Sequence, residues 1–241
     1  MPSRPFPPFA LLAVCPLFSL GVLAQSPTTP TLDWILARHF SARGGLSRIK
    51  AIQGLTSSGS IRVGGMSLAL HIQNPRGSFH SETSLDGLTK VESFDGAQGW
   101  ITDPFTGAPT PTPMSEAQLR QVRLQADFDG PLVDWQAKGH QVSVEGMAPV
   151  DGEPAYVLKV RLAGGGTLTS FIHARTFMEV KAINEAVSEG RPIEVETRLS
   201  DYRAVDGVML PFRLAITPRG QADGLVIQFD SVVAARTPAK D

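Results

Sequence analysis

Residues 66–73 read Met-Ser-Leu-Ala-Leu-His-Ile-Gln, so Met66, Leu68, Leu70 and Ile72 face one way along an extended backbone while Ser67, Ala69, His71 and Gln73 face the other. The same period of two returns in Tyr156, Leu158, Val160 and Leu162 against Lys159 and Arg161. It returns again in Ile193, Val195 and Leu199 against Glu194, Glu196 and Arg198. Val208, Leu210, Phe212, Leu214 and Ile216 repeat it, as do Leu225, Ile227 and Phe229. Strands with one dry and one wet face belong to antiparallel sheet. Asp-Gly pairs at 86–87, 95–96, 129–130, 151–152, 206–207 and 223–224 punctuate these runs, and Asp-Gly accepts the positive φ angles of tight hairpin turns. This alternation predicts about a dozen strands, most joined by hairpins, so that order in space follows order in the chain.

The period changes to that of a helix in three places. Thr31 to Phe40 sets Leu32, Ile35, Leu36 and Phe40 on one stripe, with Thr31 as N-cap and Gly44-Gly45 as the stop. A short piece, Leu46 to Ile52, follows. Met114 to Phe128 starts at Ser115 with Gln118 three residues on, the pattern of a capping box, and turns Leu119, Val122 and Ala126 to one side.

These few helices do not match the sheet in area. A sheet this long has a broad apolar face, so either two sheets pack face to face or one sheet curls around the helices. Strongly twisted sheets of more than about ten strands curl, split or flatten. The curled form leaves an apolar hollow and the sandwich leaves none.

Composition changes this picture at the N-terminus. The first 24 residues hold no acid, one Arg4, and a mostly apolar run from Phe9 to Leu23 that closes on Val22-Leu23-Ala24 ahead of Gln25. This pattern is that of a secretory signal peptide, too short and too broken by Pro16 and Ser19 for a membrane span. Residues 1–24 are therefore expected to be removed and residues 25–241 to form one exported, monomeric domain. The single cysteine, Cys15, lies in that leader, so the remainder is built without disulfides or thiolates. Lipid anchoring through Cys15 is the alternative, against which Val14 stands where such sites want a small residue. With 22 basic and 23 acidic residues, the basic ones scattered, nothing marks a nucleic-acid partner.

Candidate chemistry is sparse. His39, His71, His80, His140 and His173 lack any metal-ligand spacing, so no metal or other cofactor is expected. Ser47 and Lys50 fit the loose S-x-x-K pattern of serine catalysis, but its companion motifs are missing. Glu194 and Glu196 share a polar strand face with Arg198 and read as solvated surface. No catalytic set is assembled, and the chain is expected to be no enzyme. Aromatic residues, Trp34, Trp100, Phe105, Phe128 and Trp135, remain as core fillers or as the lining of a lipid-sized cavity.

The segment SFDGAQGWITDPFTG, residues 93–107, resembles the DG-x-x-x-W-x-x-x-PF turn of the periplasmic lipoprotein carriers of Gram-negative bacteria and the wider lipoprotein-sorting-like family. HIQNPRGSF, AYVLKVRLAGGG, FIHARTFMEVKAI and DYRAVDGVMLPFRL extend the resemblance in order, from Gly54 to Val233. The resemblance implies a mainly β, α+β fold: one strongly curved antiparallel sheet of about 10–12 strands forming an unclosed half-barrel. Two or three helices act as lid or plug over an apolar cavity for acyl chains, with residues 113–136 as the helical lid. Leu68, Leu70, Ile72, Trp100, Phe105, Leu119, Val122, Leu158, Val160, Val195, Leu210, Phe212 and Ile227 are the implied cavity lining, with Trp100 and Phe105 on the concave side. The carriers have an arginine immediately before the proline of the early strand, where it ties the lid down. Here Asn74 takes that place and Arg76 follows two positions later, which makes Asn74 and Arg76 the rim candidates. His173 stands where many relatives have Asp.

The function implied is that of a periplasmic, non-catalytic carrier for acyl chains of lipoproteins or another amphiphile. Its partners would be a lipid or acylated protein and a membrane-bound donor or acceptor protein. The competing reading is an envelope sensor or scaffold of the same shape that binds a protein partner.

Overall fold

In a computed structural model of the chain, residues 30–188, 191–221 and 223–236 are described, and all their strands join one antiparallel sheet of 13 strands. The leader expected at residues 1–24 and Cys15 lie outside the described residues. Strand β1 (Ile52–Val63) pairs with β2 (Met66–Pro75), and β3 (Phe79–Leu85), β4 (Leu88–Phe94), β5 (Gly99–Asp103) and β6 (Ala108–Pro113) follow outward in sequence order. On the other flank of β1 lies β13 (Leu225–Arg236). Next come β12 (Val208–Pro218), β11 (Arg191–Val205), β10 (Glu179–Ser188), β9 (Thr167–His173), β8 (Glu153–Arg161) and β7 (Gln141–Val150). The hairpin order is broken twice, by the return of β13 to β1 and by the passage through α3 from the edge β6 to the opposite edge β7. The edges β6 and β7 do not pair, so the sheet is open and the sandwich alternative is excluded.

Turn chemistry accounts for much of this register. Asp86-Gly87, Asp151-Gly152 and Asp206-Gly207 hold φ of 50° and 80°, 51° and 83°, and 55° and 76°. Two successive positive φ values make the type I′ turn whose twist suits a two-residue hairpin. Asp95-Gly96 works differently, its carboxylate accepting bonds from the N–H groups of Ala97 and Gln98 at 2.8 Å each. Asp129-Gly130 lies in the long connection to β7 and joins no hairpin.

The helices begin where the sequence places them. In α1 (Leu32–Ala42) the Thr31 hydroxyl accepts from Trp34 N–H, and α2 (Leu46–Ala51) follows the Gly44-Gly45 turn. In α3 (Glu116–Ala126) Ser115 and Gln118 form a complete capping box. Gly44 sits at φ 106° with the position of a Cβ only 2.0 Å from the Gly207 carbonyl oxygen. No other residue fits there, and the contact lets Met209 N–H donate to Arg43 O at 2.9 Å, docking the α1–α2 turn on the β11–β12 turn.

Helix α3 touches β3 and β4 on one side and β10 on the other. From β3 to β10 is six strand steps, roughly 29 Å on a flat sheet at ~4.8 Å per step. An 11-residue helix is only about 16 Å long, so the sheet must bend around it.

Candidate functional site

Register defines the concave face. Helix α1 and residues 132–135 pack Ile35, Leu36 and Leu132 on Tyr156, Leu158, Val160 and Ile172. Helix α2 with Val133 packs Ile49 on Ile52, Val208, Leu210 and Phe212. Helix α3 sets Val122 and Ala126, with Met114, on Phe79 and Phe94. These clusters reach β1, β12 and β13 only at their ends near the β11–β12 turn, and leave the opposite halves of β1, β2 and β11–β13, toward the β1–β2 turn, outside any helix-packed cluster. There a row of apolar side chains runs in register across five strands: Leu68 opposite Ile61, Ile61 opposite Ile227, Ile227 opposite Leu214, and Leu214 opposite Leu199. All five are half-buried and none belongs to a core cluster. The next row toward the β1–β2 turn is Met66, Val63, Leu225 and Ile216, with Met66 51% and Val63 37% exposed.

Against this geometry the residues expected to line a cavity divide in three. Leu68, Ile227 and Val195 lie on the helix-free concave surface, with the buried Leu70 beside them. Leu158, Val160, Leu210, Phe212, Val122, Ile72 and Leu119 are on the concave side but are consumed by contacts with the helices. Trp100 and Phe105 are the correction. Trp100 pairs with Ser93 while Ile101 and Phe94 face α3, so the Trp100 side chain is on the opposite, convex face, 36% exposed. Phe105 is in a single 3₁₀ turn (Pro104–Thr106), also exposed at 40%. The concave neighbour is instead Gly99, whose missing Cβ makes room for Met114 and Leu119. Ile61, Val63, Leu199 and Leu214 were missed as site residues. Their signal was the same alternation, carried through the weakly apolar run Gly59 to Val63 in β1.

Both rim candidates hold the segment that crosses the sheet. The buried Asn74 donates from Nδ2 to the Gln125 carbonyl at 2.8 Å in the last turn of α3, while its Oδ1 is buried with no partner. Arg76 pairs with Asp129, which is 4% exposed, at 2.6 Å, stacks 4.9 Å from the Phe128 ring, and donates to the Ile52 carbonyl. Arg43 donates to the Asp129 carbonyl at 2.9 Å. Residues 125–129 are thus tied to β2 and to the α1–α2 turn.

A buried polar group lies under α1. Ser170 donates to Glu179 Oε1 at 2.5 Å, and Tyr202 OH donates to the Glu179 carbonyl at 2.6 Å. Burial pushes the Glu179 carboxyl above the ordinary carboxylate range, opposed by the Ser170 bond and the Arg43 charge. Burial and the nearby Glu179 charge raise the Tyr202 phenol as well. His39 donates from Nδ1 to the Phe177 carbonyl at 2.8 Å, and burial together with the Arg43 charge pulls its pKa down to about 4. Neutral His39 is a packing residue here.

Lys50 is ion-paired with Asp134 at 2.7 Å, away from any role as a base for Ser47. Among the described residues no group of three His, Cys, Asp or Glu is placed to hold a metal ion, and no helix is long and apolar enough to cross a membrane.

No family model matches the chain, and no curated protein matches it. Solved structures do. A LolA superfamily protein from Nitrosomonas europaea superposes with a TM-score of 0.57 at 14% identity, covering 87% of this chain and 96% of that one. A structure named as an outer membrane lipoprotein-sorting protein domain, from Vibrio parahaemolyticus, gives 0.54 at 8% identity, covering 86% and 92%. A DUF1329 family protein from Desulfovibrio piger gives 0.52 at 12% identity, covering 84% and 93%. The chain shares its fold with these structures, in line with the resemblance in sequence.

Proposed function

We propose that this chain is an exported, non-catalytic carrier that binds acyl chains of lipoproteins or of another amphiphile on the concave face of its sheet. The observation that supports this reading best is the row Leu68, Ile61, Ile227, Leu214, Leu199. Four strand steps long, it presents roughly 19 Å of continuous apolar surface at ~4.8 Å per strand. Each methylene removed from water onto such a surface contributes ~0.8 kcal/mol before the costs of association are taken off. The segment 113–136 is the lid, held by Asn74 and by the Arg76–Asp129 pair. The fold shared with a lipoprotein-sorting domain supports the same reading, and the leader expected at residues 1–24 supports export.

The test is native mass spectrometry of the protein purified from an exported fraction, joined to uptake of a neutral fluorescent acyl ester. Adducts with the mass of an acyl lipid, and saturable uptake, are expected. A species free of adducts that takes up no probe overturns the carrier reading; if it also holds a stable protein partner on pull-down, the sensor reading replaces it. Cleavage after residue 24, read from the N-terminus of the purified protein, separates export in soluble form from anchoring through a lipid on Cys15.

A further inference from the structure

Helix α3 has a second stripe beside its buried one: Arg120, Arg123, Leu124 and Asp127 at helical spacing. The Arg123 guanidinium lies 6.0 Å from the ring of Phe94 in the core cluster under α3, and Arg120, Leu124 and Asp127 take no part in that cluster. The stripe faces the β8–β9 turn across a pocket of about 360 Å³, lined on the far side by Lys138, His140, Leu162, Ala163, Gly164 and Gly165. That volume is in the ~300–1,000 Å³ range of small-molecule sites.

The pocket joins two chemistries. Its apolar lining is Leu124, Leu162 and Ala163, and Leu162 also packs against the core cluster of Leu158 and Val160. Its walls carry three permanent cations and one acid, a net of two positive charges. The acid is already used, because both Asp127 oxygens accept from Lys138 Nζ at 2.6 Å. Arg120 and Arg123 have no carboxylate partner among the described residues. His140 accepts from Ala163 N–H through Nδ1 at 3.1 Å, which fixes the proton of the neutral ring on Nε2 and leaves one more donor. Burial and the Lys138 charge lower the His140 pKa, opposed by the Asp127 charge. Two guanidinium groups beside an apolar lining suit an anion carried on an apolar stem, since planar N–H forks bind phosphate and carboxylate oxygens in pairs.

We infer that this pocket is a headgroup subsite, in which Arg120 and Arg123 bind the phosphate or carboxylate of an acidic amphiphile. The inference rests on the carrier reading for the attached tail, although the anion site itself does not.

The experiment compares dioctanoyl phosphatidylglycerol, dioctanoylglycerol and inorganic phosphate as competitors of the neutral fluorescent acyl ester and as direct ligands in calorimetry. The proteins are the wild-type chain, the double variant Arg120→Gln/Arg123→Gln, and Arg62→Gln as a charge control on the convex face. Wild type is expected to hold the phosphatidylglycerol about tenfold tighter than dioctanoylglycerol, the worth of one to two charge-assisted bonds. The double variant loses that ratio while its ester uptake and melting temperature stay unchanged, and Arg62→Gln keeps the ratio. Equal binding of the two lipids by wild type overturns the headgroup subsite and leaves the carrier reading intact. Binding of inorganic phosphate by wild type and not by the double variant, with no uptake of any acyl ligand, sustains the anion site with free phosphate as its source and overturns the carrier reading. A double variant that binds phosphate as wild type does overturns the assignment to these arginines.

Discussion

At the scale of single residues, two buried ionisable groups set opposite limbs of the stability curve. His39 has a folded-state pKa of about 4 against about 6.5 unfolded, so protons bind the unfolded chain first. The stability it contributes is therefore whole above pH ~6.5 and is lost as pH falls toward 4, by up to about 3 kcal/mol. Glu179 is shifted the other way, so its folded form holds a proton longer than the unfolded chain does, and stability falls as pH rises above the ordinary carboxylate range. Urea melts across pH 4 to 8 should show both limbs. Glu179→Gln, which keeps a partner for Ser170, is expected to melt later than wild type at pH 8 and to match it at pH 4; an unchanged alkaline limb would show that Glu179 does not titrate there. Gly44→Ala is a harsher case. The added Cβ meets a carbonyl oxygen at 2.0 Å in a left-handed conformation, and a loss of more than about 2 kcal/mol in urea midpoint analysis is expected.

At the scale of elements, the connection from α3 to β7 is held by polar ties as well as by the burial of Leu132 and Val133. Asp129 is buried and Arg76 is partly exposed, so the two halves of the pair are unequal. Arg76→Ala strands a buried carboxylate and should cost at least about 2 kcal/mol, whereas Asp129→Asn leaves an arginine that water can reach and should cost less. Hydrogen exchange should rise in residues 125–135 in the first variant and stay near wild type in the second. The helices themselves were legible because caps are local: Thr31, and Ser115 with Gln118, bond within one turn. Strands were legible for the same reason, through alternation and through Asp-Gly turns. The side taken by Trp100 was not, because it depends on whether Gly99 or Trp100 meets Met114, a contact between β5 and a helix that starts beyond β6. Nor was the insertion of β13 beside β1, a pairing of the two ends of the domain. The proline run Pro109, Pro111 and Pro113 has a meaning only once β6 is known as an edge, where residues without N–H groups discourage pairing with another chain.

At the scale of the whole molecule, the relation between sheet and helices decides what the protein can bind. One open sheet of 13 strands bends around α3, and the core clusters of the three helices leave uncovered the halves of β1, β2 and β11–β13 toward the β1–β2 turn. A protein selected only for stability would have filled those halves with larger side chains or another helix, since exposed contiguous apolar rows favour association. The row from Leu68 to Leu199 keeps aliphatic side chains of moderate size, each half-buried, which suits a guest with no fixed shape. Ile61 is the second of the five, flanked by Leu68 and Ile227. Ile61→Glu places a carboxylate within the row, under a bound acyl chain, where desolvating it costs several kcal/mol, and uptake of the neutral acyl ester should fall by more than about tenfold. In the empty protein the same carboxylate still reaches water, so the melting temperature should move by only a few degrees. Serine placed at 62 on the convex face, Arg62→Ser, should leave uptake unchanged. Uptake by Ile61→Glu equal to that of wild type would show that the acyl chain lies elsewhere, and would shift attention to the groove that Phe40, Leu46 and Trp135 form beside α1 and α2.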